Sequence, residues 1–179
     1  MAVTGICKTF AARAVAGAAL LGMCMPLAGF AADQAARAPS AAGATKGSYV
    51  ERGRYLVRIA GCNDCHTAGY AQAEGKIPEK EWLLGDSLGF RGPWGTTYPS
   101  NLRLAMNRMT EAEWLKAAHT MKLRPPMPWF ALRDMDKDDL RAIYRFVRQL
   151  EPTGTPAPAF VPPGQTPAGP FVQFPAPPQ

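Results

Sequence analysis

Cys62-Asn63-Asp64-Cys65-His66 is the stretch on which the reading of this 179-residue chain turns. Two cysteines are separated by two residues, and a histidine directly follows the second. The chain has 4 cysteines, and its amino-terminal end accounts for the other two. Lys8 and Arg13, with no acidic residue before Asp33, introduce an apolar stretch from Ala14 to Phe30, rich in Ala and Gly and broken by Pro26. This pattern reads as a signal peptide over residues 1–31, cut after Ala31, where Gly29 and Ala31 are the small residues a signal peptidase inspects. No apolar run reaches the roughly 18–20 residues with clean flanks that a spanning helix needs, so no integral membrane span is expected in the mature chain. Cys7 and Cys24 leave with the leader. An exported chain left with Cys62 and Cys65 alone is no disulfide framework.

The pair has a specific chemistry open to it. Two thiols at this spacing can add to the two vinyl groups of a haem, forming thioethers, and the adjacent His66 is then held beneath the iron as an axial ligand. Covalent attachment of this kind takes place outside the bacterial cytoplasm, in keeping with the leader. A thioredoxin-type redox pair would follow a strand in a βαβ setting, whereas this motif follows an amphipathic helical pattern. A zinc site would need a fourth ligand and preferably a third cysteine, and only His119 remains as a strong candidate.

For the opposite axial position there are five downstream methionines, Met106, Met109, Met121, Met127 and Met135. A lone Met is usually core filler. Met127 differs because it lies in Arg124-Pro-Pro-Met-Pro128, a segment too proline-bound to be helical, which can present a thioether rigidly. His119, giving bis-histidine ligation, is its competitor; Met121 and an open position are the others. A thioether in place of a second imidazole raises the reduction potential.

Around the motif the chain divides into a flexible linker over 32–48, a compact domain over 49–151 and a Pro-rich tail over 152–179. The tail carries ten prolines and not one Lys, Arg, Asp or Glu, so neither helix nor ladder is expected there, only extended chain with polyproline II stretches. The whole chain has a formal charge of +6, but the domain's 16 Lys+Arg against 13 Asp+Glu leave +3. No basic run interleaved with aromatics suggests nucleic acid. Ser48-Tyr-Val-Glu51 predicts a capping box opening a helix to about Ala60, and Thr110-Glu-Ala-Glu113 a second opening a helix to about Met121. A third helix is expected from Asp136, with Leu140, Ile143, Tyr144, Val147 and Leu150 on one face. Arg141, Arg145 and Arg148 share another face, read as solvated surface in preference to a docking patch. No convincing strand alternation is present, so the fold is expected to be all-α with long loops. Loops of that length within about 100 residues leave a core short of apolar material, and a haem would fill the middle.

These residues resemble a class I c-type cytochrome across Tyr49 to Glu151. Gly53-Arg-Tyr-Leu with Cys62-Asn-Asp-Cys-His-Thr67 is similar to the family's first helix and attachment site. Met127-Pro-Trp-Phe followed by Asp136-Lys-Asp-Asp-Leu-Arg-Ala-Ile-Tyr144 is similar to its ligand loop and last helix. The likeness is greatest to bacterial periplasmic monohaem cytochromes that partner dehydrogenases. It implies first and last helices crossing over one covalent haem c, with Gly53 permitting the close approach. It also offers Trp94, Tyr98 and Asn101 as haem-pocket contacts on the propionate side, with simple packing and turn formation an equal account of them.

The expected function is one-electron transfer without a catalytic residue. A periplasmic dehydrogenase would stand on the reducing side, and an oxidase or another cytochrome on the oxidising side. The alternatives are a peroxide- or gas-handling haem protein with a displaceable sixth ligand, or a docking subunit of a dehydrogenase complex.

Overall fold

Thr45, three residues ahead of the expected cap, starts the first helix. Its hydroxyl accepts from the Ser48 backbone N–H at 3.3 Å, while the Ser48 hydroxyl donates back to the Thr45 carbonyl at 2.8 Å. Ser48 is therefore inside α1 (Lys46–Ile59), and Glu51 pairs with Arg54 instead of closing a capping box. The computed structural model describes residues 45–175. The expected signal peptide over 1–31, and the linker up to residue 44, lie outside the described residues.

After α1 come the short helix α2 (Cys62–His66), a 3-10 turn at Glu79–Glu81, strands β1 (Gly89–Gly92) and β2 (Gly95–Thr97), and α3 (Leu102–Asn107). The chain continues through α4 (Glu111–Thr120), α5 (Trp129–Arg133), α6 (Lys137–Val147) and β3 (Phe171–Gln173). The Thr110–Glu113 capping box is formed in both directions at the start of α4. Asp138 and Asp139 occupy the first turn of α6, where they favour the helix dipole. This helix ends at Val147, three residues short of Leu150.

Helices α1 and α6 pack closely across Gly53. A Cβ built there would run into the Ala142 carbonyl oxygen and stand 2.7 Å from the Phe146 Cβ. The core beneath the crossing is formed by Val50, Leu56 and Val57 of α1 with Leu140, Ile143, Phe146 and Val147 of α6. Trp114, Leu115 and Ala118 of α4 complete it. Full burial of such a side chain contributes about 1.5–3 kcal/mol. The Trp114 indole donates to the Leu140 carbonyl at 2.9 Å and the Tyr144 hydroxyl to the Met109 carbonyl at 2.7 Å, so the polar tips of the buried aromatics are satisfied.

The arginines of α6 differ from expectation. Arg141 and Arg145 grip the two carboxylate oxygens of Glu111 at 2.8 and 2.9 Å, fastening α6 to α4. Arg145 also lies over the Tyr49 ring at 4.5 Å, and Arg148 bonds Asn107. The stripe is an inter-helix clamp.

The all-α expectation is corrected by a three-stranded sheet of order β2-β1-β3. β1 and β2 form an antiparallel pair with Phe90 opposite Thr97, and β1 pairs in parallel with β3 with Phe90 opposite Val172. The strands are too short to show alternation. The third comes from the tail, whose proline-free run Phe171-Val-Gln-Phe174 keeps the N–H groups a ladder needs. Val161, also of the tail, exchanges both backbone bonds with Thr96 at 2.8 and 3.0 Å. A segment expected to make no ladder thus contributes to one.

Candidate haem site

Helix α2 follows α1 after a two-residue turn, Ala60-Gly61, which delivers the Cys62-to-His66 run to the edge of the core. Thr67 anchors it there. Its hydroxyl donates to the Asn63 Oδ1 at 2.8 Å and accepts from the Leu83 N–H at 2.8 Å, with Asn63, Thr67 and Leu83 all fully buried. The His66 carbonyl accepts from the Gly85 N–H at 2.8 Å, so residues 83–85 form a wall along the motif. Leu83 holds φ at 62°, a left-handed conformation that costs a leucine about 1–2 kcal/mol and is maintained by these bonds.

His66 is buried, and its Nδ1 lies 2.7 Å from the Ser100 carbonyl oxygen. A carbonyl can only accept, so Nδ1 carries the proton and Nε2 keeps its lone pair. Burial lowers the imidazole's pKa, partly opposed by the Ser100 bond. The neutral ring with a free Nε2 is the form that binds a metal.

Cys62 and Cys65 are both unpaired thiols. Burial, and then the neighbouring Asp64, push the Cys62 thiol up to about 11; the same causes raise Cys65. A thiol-exchange pair depends on a lowered thiol pKa, so this setting is wrong for a thioredoxin-type site. Among the described residues no cluster of three or more His, Cys, Asp or Glu could hold a metal ion, which leaves the zinc alternative without ligands there.

The remaining candidates separate by position. Met106 is 1% exposed inside the core. Met121 and Met135 pack partly buried at its border, as does Met127. Met127 alone of these lies in the proline loop between α4 and α5, and its carbonyl accepts from the Trp129 N–H at 2.9 Å, starting α5. His119 is exposed on α4, its Nδ1 held 2.9 Å from the Arg133 carbonyl. Two unpaired thiols and an oriented neutral imidazole are the donors that covalent haem attachment uses, and these residues fit that group.

The three further pocket candidates belong largely to the sheet and tail. The Trp94 indole donates to the Phe90 carbonyl at 3.3 Å and its ring lies 5.4 Å from that of Phe174. Asn101 caps α3 by accepting from the Leu104 N–H at 3.1 Å, and its amide donates to the tail carbonyl of Thr153 at 2.8 Å. Tyr98 is half-buried and lines, with Ser100, Asn101, Leu104, Arg108 and Pro156, a cavity of about 280 Å³.

Sequence reasoning missed Ser100, because a carbonyl acceptor can come from any residue. It also missed Arg103, which is 4% exposed and donates to the carbonyls of Trp82, Glu79 and Lys80 at 2.7, 3.0 and 2.9 Å. This arginine holds the 3-10 turn and the chain leading to Leu83 against α3. No helix among the described residues is long and apolar enough to cross a membrane.

Residues 50–151, more than half the chain, match the family model described as Cytochrome c. Two relatives share 30% identity over 118 residues: the cytochrome c subunits of quinone alcohol dehydrogenases from Gluconacetobacter polyoxogenes and Komagataeibacter europaeus. The match covers 60% of this chain but only 23% of each relative. No solved structure matches significantly. The CxxCH motif, its histidine buried, and this match lead to one conclusion: the chain belongs to the cytochrome c family of haem-binding electron-transfer proteins, in which haem c is held covalently.

Proposed function

We propose that this chain is a periplasmic one-electron carrier with a single haem c, accepting electrons from a dehydrogenase and passing them to an oxidase or another cytochrome. The observation that carries this reading is His66, buried with Nδ1 committed to Ser100 and Nε2 free, beside two unpaired cysteines. The relatives' names support a dehydrogenase as the electron donor. The leader expected over residues 1–31 supports export.

In this reading Cys62 and Cys65 would hold the haem covalently, and His66 and Met127 would ligate its iron from opposite sides. The haem, when bound, supplies an iron that takes up and releases one electron. The chain's own part is positional. The Ser100 carbonyl fixes the imidazole's tautomer and ring plane, as partners of metal-binding histidines commonly do. Thr67, Asn63 and the left-handed Leu83 hold the attachment helix still. The proline loop keeps the Met127 thioether from wandering. His66 itself is buried at the edge of the apolar core, which limits the water that must reorganise beside it when charge changes. A net +3 on residues 49–151, less about two charges for propionates, gives weak steering toward a partner.

The test is spectroscopic. The haem-loaded ferric protein is expected to show the weak long-wavelength band of thioether ligation, and Met127→Ala to abolish it. Rapid carbon monoxide binding by the native ferrous protein, with no such band in the ferric state, would overturn the carrier reading.

A further inference from the structure

Phe160 lies 33 residues beyond Met127 in sequence, yet it meets the loop that carries that methionine. Its ring faces the Arg124 guanidinium at 3.9 Å, at the entrance to Arg124-Pro-Pro-Met-Pro128. The next residue of the same loop, Pro125, accepts from the Thr97 hydroxyl at 2.7 Å. Thr97 ends β2, and its neighbour Thr96 is doubly bonded to Val161, the residue after Phe160. The tail thus reaches the ligand loop by two routes: directly through Phe160, and through the strand that Val161 braces.

This contact is built into the fold. Gly95 has φ of 100°, and a Cβ there would collide with the Val161 carbonyl and stand 2.9 Å from the Phe160 ring. The absence of a side chain lets the tail come down onto β2 at that point. Both ends of the strap are tied. Asn101 clips Thr153 at its start, and near its other end β3 pairs with β1 while the Phe174 N–H donates to the Arg91 carbonyl at 2.7 Å. The Phe174 ring then rests between those of Phe90 and Trp94.

We propose that the Pro-rich tail is a strap that positions the Met127 loop, with Phe160 as its positioning residue acting through Arg124. This rests on the reading of Met127 as the distal ligand. The role falls to the ring's electron-rich face, because Arg124 is exposed and a cation over such a face is attracted without needing burial. A loop of Pro125, Pro126 and Pro128 has few N–H groups with which to anchor itself. An external hold replaces the bonds it cannot make.

The test uses the full mature, haem-loaded protein and three substitutions, Phe160→Ala, Phe160→Leu and Phe160→Tyr. Leucine keeps an apolar side chain but no ring face; tyrosine keeps the face. Two readouts are taken: the rate of carbon monoxide binding to the ferrous protein, which reports how often the distal ligand leaves, and amide hydrogen exchange across residues 121–132. Alanine and leucine are expected to raise both about three-fold, and tyrosine to restore native values. An equal rise in all three variants, or none in any, overturns the proposal. A Met127→Ala control separates the two readings. If it leaves the ferric spectrum unchanged, the ligand assignment fails, and the exchange data alone then judge the strap.

Discussion

Gly53 shows how one missing side chain decides a helix crossing. Replacing it with Ala forces a methyl group into the Ala142 carbonyl and the Phe146 Cβ, both part of a helix that cannot yield locally. Gly53→Ala should cost about 2–3 kcal/mol, read as a lower urea midpoint at unchanged slope. Arg103 is the second residue on which much depends. Its three bonds to the carbonyls of Trp82, Glu79 and Lys80 need a planar fork, which lysine lacks. Arg103→Lys should cost about 1 kcal/mol and Arg103→Met about 2, by the same measurement, since the buried Trp82 carbonyl and the part-buried Glu79 and Lys80 bonds lose their donor. The Cys-x-x-Cys-His motif was legible because covalent attachment demands a fixed local spacing. Ser100 and Arg103 were not, because one contributes a backbone atom and the other partners that only folding brings near.

Between elements, the clamp of Arg141 and Arg145 on Glu111 joins α4 to α6. Burial would raise the Glu111 pKa, but hydrogen bonds from Arg145 and Arg141 outweigh it and hold the carboxylate below its ordinary value of 4.5. A carboxylate depressed in the folded state stabilises fully above its unfolded pKa, and that contribution fades as pH falls through the folded one. Glu111→Gln should therefore lower stability by about 1 kcal/mol at pH 7. The gap between variant and native protein should close as pH drops below 4.5, in parallel urea titrations. The helices carrying capping residues and apolar faces, α4 and α6, were readable from sequence to within a turn. The sheet was not. Its strands run three or four residues, and the pairing of Phe90 with Val172 joins residues nearly half the chain apart. Such long-range pairing leaves no local pattern to detect.

At the scale of the molecule, the stretch from Ala68 to Asn101 joins the 3-10 turn, β1 and β2 by loops and lays residues 83–85 along the attachment motif. The helical core of α1, α4 and α6 stands on its own packing, whereas the loops are expected to draw their order from the haem. A Cys62→Ala, Cys65→Ala protein, unable to hold the group, should keep most of its far-ultraviolet helical signal but unfold with a broadened, lower-temperature transition in calorimetry. The uncharged character of residues 152–179 has its own consequence. A brace made of prolines, phenylalanines and backbone bonds carries no acidic or basic side chain of its own and leaves little for salt to screen. In the exported setting proposed above, a protein meets acidity and ionic strength it cannot control. If Met127 is the distal ligand as proposed, the tail's hold on its loop should be indifferent to both, and so should the reduction potential.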